Sequence, residues 1–509
     1  MCALTNLFFN LFCSLDCMKT RLTLLVLVCS FSLTFAQNRQ LEAEGAVKTD
    51  HSVTIKGQRV RYKAETGTQP VWDGDGKVVA SLFYTYYKRT DIADSLTRPL
   101  VISFNGGPGS ASVWMHIAYT GPYVLNIDTE GFPVQPYGVS ENPNSILDVA
   151  DIVYVNPVNT AYSRILDKDA KPSTFFGVNA DIKYLGEWLN TFVSRHNKWL
   201  APKYLIGESY GTTRVSGLAL ELQSNHWMYL NGVILVSPTE LGINRDGPVE
   251  AANRVPYFAA AAWYHKMLPP DLQQKDLPEV LDLAENFTVN ELLPAMAMGG
   301  FLDDAKRKEM AHKMAYFSGL SEKVILQNNL DVSTSYFWKE LLREREGYTI
   351  GRLDSRYKGL DRSDAGDRPD FNSELTSWLH SFTPAINYYI REVLKYKTDI
   401  KYNMFGPVHP WDRSGDNTGE NLRAAMAQNP YLHTMIQSGY YDGATTYFNA
   451  KYSMWNMDPS GKLKDRLSFK GYRSGHMMYL RRDDLVTANE DIRQFIKATL
   501  PGKGVPAKY

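Results

Sequence analysis

The sequence predicts an α/β fold: a central, mostly parallel sheet flanked by helices and interrupted by a mostly helical insertion. Three observations predict it. Short, wholly apolar runs such as Leu100–Phe104 read as strands buried on both faces of a sheet. Between such runs, apolar residues recur at helical spacing, so strands and helices alternate. The alternation stops between about residues 245 and 405 and resumes at Thr434–Ser438.

In chain order, the first element is leader-like. Lys19 and Arg21 precede the apolar runs Leu22–Val28 and Ser30–Ala36, the pattern of a signal peptide cleaved after Ala36. Residues 1–36 are assigned to it; Met18 reads as a natural start, with the first 17 residues upstream. The apolar stretch is short for a membrane span. An uncleaved anchor and a lipid on Cys29 are competing readings, but Val28 is a poor residue before a lipidated cysteine, where a small one is the rule. The expected location is periplasmic or extracellular, with no stable membrane partner. Cys2, Cys13, Cys17 and Cys29 are the four cysteines. A cleaved chain therefore carries none and relies on its core rather than on disulfides.

Val53–Ile55, Arg59–Tyr62 and Val78–Tyr87 are rich in β-branched and aromatic residues and are separated by turn signals at Lys56-Gly57 and Asp73–Gly76. Leu100–Phe104 and Ile152–Val155 follow as buried strands. Ile182, Leu185, Leu189 and Phe192 mark a helix. Lys203–Ile206 is a strand, Thr212–Leu222 a helix, and Gly232–Ser237 the next buried strand. These readings assign residues 37–244 and 406–509 to two parts of one core and 245–405 to a helical cap. Formal net charge is zero, and without a basic run nothing points to a nucleic-acid partner.

Gly207-Glu208-Ser209-Tyr210-Gly211 sits between a predicted strand and a predicted helix. That context makes Gly-x-Ser-x-Gly the nucleophile elbow of the α/β-hydrolase fold, in which the glycines permit a tight turn and lift the serine hydroxyl into the open. Ser209 then needs a base, and the base an orienting acid, in the chain order Ser, Asp or Glu, His. Of the ten histidines, His476 lies in a glycine-marked loop near the C-terminus; His409 and His433 compete with it. Asp442 follows the strand Thr434–Ser438, with Asp465 as runner-up in a charged, turn-like stretch. Asn105-Gly-Gly-Pro-Gly109 directly follows a buried strand and lacks the Gly-Lys-Ser/Thr ending of a phosphate loop. The loop at this place in the fold donates an oxyanion N–H, so Gly107 and Tyr210 are the expected donors. No metal-ligand spacing and no cofactor loop is present, so neither a metal nor a cofactor is expected.

In the same order, Asn105–Gly109, Gly207–Gly211, Asp442 and Gly475-His476-Met477 resemble the serine carboxypeptidases, as do Asn142–Ser145 and Asn156–Ser163. The absence of cysteine after residue 29 is similar to the bacterial branch. The resemblance implies an exported exopeptidase acting on peptides through an acyl-enzyme on Ser209. It also implies a pocket for the substrate's terminal carboxylate, formed by Asn105 and Glu208. Glu208 can donate a hydrogen bond to a carboxylate only when protonated, which burial and a neighbouring carboxylate favour. The family's second glutamate is replaced here by Tyr119, two residues before Gly121-Pro122. Tyr119 is expected in the same pocket, and Glu208 is expected to be less firmly protonated without a charged neighbour. Ester hydrolysis or acyl transfer on the same triad is the alternative reaction, and a non-catalytic binding protein the third reading.

Overall fold

The computed structural model describes residues 40–502, 504–506 and 508. The predicted signal peptide, its cleavage site and all four cysteines lie outside the described residues.

Three long strands come first among the described residues: β1 (Gly45–Ile55), β2 (Gln58–Trp72) and β3 (Val78–Arg89), paired antiparallel. The β1–β2 turn is Lys56-Gly57, both at positive φ (48° and 80°), as a two-residue hairpin turn requires. Both strands run well past the predicted segments. Much of β1 alternates between exposed and half-buried residues, so apolar content marks only its end. Six further strands extend the path of the main sheet, β4 (Leu100–Phe104), β5 (Asp151–Val155), β6 (Lys203–Glu208), β7 (Gly232–Val236), β8 (His433–Gly439) and β9 (Leu467–Tyr472), and a short tenth, Arg164–Ile165, pairs antiparallel with β3. Their spatial order is β1-β2-β3-β5-β4-β6-β7-β8-β9, and from β5 onward every pairing is parallel. The fold class is the one expected, a mixed sheet whose parallel part carries the site.

Helices α1 (Val178–Arg195) and α2 (Tyr210–Asn225) link β5 to β6 and β6 to β7. Between β7 and β8 the chain departs from alternation. Its longer helices are α3 (Val255–Tyr264), α4 (Leu277–Phe287), α5 (Asp304–Ser318), α6 (Ser373–Tyr388) and, just before β8, Thr418–Gln428. A two-stranded antiparallel hairpin, Thr349–Ile350 with Lys358–Gly359, lies among them. The chain closes on α7 (Arg482–Thr499).

The period-two alternation of strand side chains divides the core between the two faces. Val101, Ile152, Tyr204, Ile206 and Ile234 pack with Leu485, Ala488 and Ile492 of α7. Their neighbours Leu100, Ile102, Val153, Leu205 and Leu235 pack with Leu185, Leu189 and Phe192 of α1 and Leu218 of α2. Strands β4 to β7 are buried at every residue, which is why they read as unbroken apolar runs. The edge strand β9 is buried only at Tyr472, and for that reason it escapes an apolar-run reading. Among the described residues no helix is long and apolar enough to cross a membrane.

Candidate active site

Strand β6 ends at Glu208 and helix α2 begins at Tyr210, leaving Ser209 alone on the turn at φ 56°, ψ −127°. A non-glycine residue in that region costs about 1–3 kcal/mol and persists only where its surroundings hold it. Here Ser209 N donates to Val236 O at 2.9 Å, and Ser209 O accepts from Thr212 N at 2.8 Å and Thr212 Oγ1 at 2.6 Å. The motif's glycines are needed for close approach. A Cβ on Gly207 would lie 2.1 Å from Gly211 O, and one on Gly211 would lie 2.9 Å from Phe104 O.

Parallel pairing of β8 with β9 sends both following loops out of the same end of the sheet. Backbone bonds from Tyr440 N to Tyr472 O (2.9 Å) and from Tyr441 N to Ser474 O (3.0 Å) carry the pairing past the strands. Asp442 and His476 therefore meet, with His476 Nδ1 2.6 Å from Asp442 Oδ2. Asp442 also accepts from Ala444 N at 2.8 Å, Thr445 N at 3.1 Å and Thr445 Oγ1 at 2.7 Å. His476 is fixed by its backbone: its N–H donates to Leu353 O at 2.6 Å and its carbonyl accepts from Ser237 Oγ at 2.8 Å. Burial pushes the imidazole pKa down, but the Asp442 carboxylate outweighs it and leaves the ring above its ordinary value.

The glycine loop after β4 presses against the nucleophile turn. A Cβ on Gly106 would lie 2.4 Å from Tyr210 N and 2.7 Å from Glu208 O. Arg214 of α2 ties the two together from below. It is buried, pairs with Asp181 of α1 at 2.6 Å, and donates to Asn105 O at 2.7 Å and Pro108 O at 3.3 Å. Gly107, at φ 106°, and Tyr210, whose N–H belongs to the first turn of α2 and has no intrahelical acceptor, both face one cavity.

That cavity has a volume of about 530 Å³, and Gly106, Glu208, Ser209 and His476 also line it. Of the competing residues, His409 sits on its wall, exposed, while His433 opens β8 and Asp465 is exposed on a short turn of helix; neither reaches the cavity. Among the described residues no group of three His, Cys, Asp or Glu could hold a metal ion.

Glu208 is buried to 3% exposure, yet it reaches the cavity wall. Asn105 Nδ2 donates to its Oε1 at 2.9 Å, and Tyr479 OH donates to its Oε2. Burial raises its pKa to about 7, against the pull of His476 and of these two hydrogen bonds. Glu208 thus stands above the ordinary carboxylate value without a second carboxyl hydrogen-bonded to it, through burial first and the nearby Asp442 charge in addition. Two placements differ from expectation. Asn105 lies behind Glu208 rather than on the cavity wall, with its Oδ1 taken by Met115 N at 3.1 Å. Tyr119 is fully buried away from the cavity, its OH given to Gln437 Oε1 at 2.7 Å. Its ring stacks on that of Tyr479 at 4.5 Å and 12°. Tyr479 is the residue missed from the sequence. The signal available was its place three residues after His476, with an aromatic stacking partner that only the fold reveals.

The mixed sheet, the strand-turn-helix around Ser209 and the cavity above it define a protein of the α/β-hydrolase fold. A family model described as serine carboxypeptidase matches residues 57–331, and the chain belongs to that family. Serine carboxypeptidase S10 family member 1 of Dictyostelium discoideum is 32% identical over 133 residues, 26% of this chain and 29% of that protein. Retinoid-inducible serine carboxypeptidase of Rattus norvegicus is 28% identical over 237 residues, 45% of this chain and 46% of that protein. The matches thus span less than half the length of these curated relatives. The crystal structure of Kex1Δp, a prohormone-processing carboxypeptidase of Saccharomyces cerevisiae, superposes with a TM-score of 0.52 at 15% identity, covering 86% of this chain and 92% of that one, which supports the shared fold.

Proposed function

We propose that the chain is a serine carboxypeptidase that removes C-terminal residues from peptides. The observation that carries this reading is Glu208: a buried carboxyl beside Ser209, on the cavity wall, with a pKa near 7. Protonated, it donates a hydrogen bond to the terminal carboxylate of a peptide; ionised, it repels one. Ser209 attacks the last peptide carbonyl while His476 takes its proton, and Asp442 holds the ring in the required tautomer. The N–H groups of Gly107 and Tyr210 receive the developing oxyanion. His476 returns the proton to the leaving amino acid, and water repeats the sequence on the acyl-enzyme. Asn105 and Tyr479 position the Glu208 carboxyl, and Tyr119 steadies Tyr479. Export follows from the leader-like run of Lys19–Ala36.

Ester hydrolysis or acyl transfer on the same residues is the second reading. It is favoured by the site's lack of a second carboxyl hydrogen-bonded to Glu208, whose partners are an amide and a phenol. Mass spectrometry of products from a peptide library, with Ser209→Ala as control, tests the first. Loss of single C-terminal residues, abolished in the variant and suppressed by C-terminal amidation, is the expected result. Equal turnover of acid and amide peptides would refute it.

A further inference from the structure

The cavity carries a cation that the proposed mechanism leaves unused. Arg352 lies in the loop of the small hairpin, between Thr349–Ile350 and Lys358–Gly359. Its backbone is pinned to the catalytic loops: Arg352 O accepts from Gly443 N at 3.0 Å, one residue after Asp442, and the next carbonyl, Leu353 O, accepts from His476 N at 2.6 Å. Glu374 Oε1 holds this strap from behind through Leu353 N at 2.8 Å. The base of the Arg352 side chain is therefore as firmly placed as the acid and base themselves.

The side chain lines the same cavity as Ser209 and is exposed within it. It makes no hydrogen bond and no ion pair within 4.0 Å with any described residue, although its charge acts on the buried Glu374 carboxyl behind the strap. Its charge is nonetheless felt by the site, where it opposes protonation of His476. The other charges on the wall are differently arranged. Glu240 and Glu250 are paired with Arg245 at 3.4 and 3.6 Å. Asp416 accepts from Thr418 N at 3.2 Å and Thr418 Oγ1 at 2.9 Å. Glu208 is occupied by Asn105 and Tyr479. Arg413, on the loop before the helix Thr418–Gln428, is a second arginine on the wall without a side-chain hydrogen bond or ion pair among the described residues. A guanidinium without a hydrogen-bond partner, on a pinned strap and lining the same cavity as Ser209 and His476, is a donor set fitted to a carboxylate.

We propose that Arg352 is a specificity-determining residue that selects substrates with an acidic side chain next to the bond being cleaved. The inference rests on the carboxypeptidase reading and adds the substrate class to it. Glu208 serves the terminal carboxylate, and Arg352 binds a second carboxylate carried on a neighbouring side chain.

The test is kcat/KM on blocked dipeptides with Glu or Gln at each of the two positions flanking the bond. Native chain, R352A, R352K, R352E and R413A are compared, each normalised to the fraction labelled at Ser209 by a fluorophosphonate. The expected result is a Glu-over-Gln preference of roughly tenfold at one position, the scale of one charge-assisted hydrogen bond. R352A abolishes it, R352K partly restores it and R352E inverts it. The same ratio in native chain and R352A overturns the assignment, as does an equal change in R413A, which would mean general cationic attraction. A loss in R352A that is equal for Glu and Gln peptides but vanishes on their C-terminal amides would place Arg352 on the terminal carboxylate instead and also overturns it. Should labelled chain cleave no peptide, the carboxypeptidase reading fails by itself, and the ratio is read on blocked glutamyl and glutaminyl esters with the same criteria.

Discussion

Replacing Glu208 by Gln separates binding of a terminal carboxylate from the chemistry of the triad. The native carboxyl has a pKa of about 7 because burial disfavours its charge. It is therefore mostly protonated a unit below neutrality and mostly ionised a unit above. A single titration centred there changes the protonated fraction roughly tenfold between about pH 6 and pH 8. The assay is kcat/KM for a blocked dipeptide acid divided by that for its C-terminal amide, across about pH 5 to 9. The division cancels His476, which both substrates need in its neutral form. In the native enzyme the ratio is expected to fall roughly tenfold between about pH 6 and pH 8. In Glu208→Gln, whose amide donates at every pH, it should be lower in acid and flat. A native ratio independent of pH, or a fall that persists in the variant, would refute the role given to Glu208. The same shift bears on stability. The folded-state pKa lies above the usual carboxylate value, so the folded chain binds this proton more tightly than the unfolded one. That stabilisation, at most about 3 kcal/mol, is complete below about pH 4 and is lost as pH rises through 7.

Tyr479→Phe removes a hydrogen bond that lowers the Glu208 pKa, so the alkaline limb of the acid-to-amide ratio should move to higher pH; an unmoved limb counts against the pairing. Gly106→Ala places a methyl 2.4 Å from Tyr210 N and forces the oxyanion loop away from the nucleophile turn. We expect kcat to fall about a hundredfold or more with KM little changed, read by steady-state kinetics on chain that still melts cooperatively. Arg214→Met leaves Asp181 buried without its partner, and denaturant unfolding should show a loss of about 3–5 kcal/mol. Adding Asp181→Asn should recover part of it, since the uncompensated charge is then gone.

Much of this molecule is legible along the chain because the decisive signals are local. A strand buried on both faces must be apolar throughout, so Leu100–Phe104 and Gly232–Val236 stand out. A turn that lifts a serine between strand and helix needs small neighbours, so Gly207 and Gly211 frame Ser209. Asp442 and His476 could be named from chain order, but their 2.6 Å contact depends on the parallel register of β8 with β9, and β9 is too exposed to announce itself. Of the two partners of Glu208, Asn105 was legible in the sequence and the other was decided by tertiary structure. Tyr119 is in the sequence position of a pocket carboxyl, yet packing sends its hydroxyl to Gln437 and brings Tyr479 to Glu208 instead. Arg352, from a hairpin far along the chain, likewise reaches the cavity only through backbone bonds to the acid and base loops. The sequence by itself determined the fold class, the nucleophile turn and the candidates for acid and base, because backbone geometry and burial constrain residue type position by position. Only the tertiary structure decided which side chains face the cavity and how strongly Glu208 holds its proton, because burial and hydrogen bonding there depend on residues hundreds of positions apart.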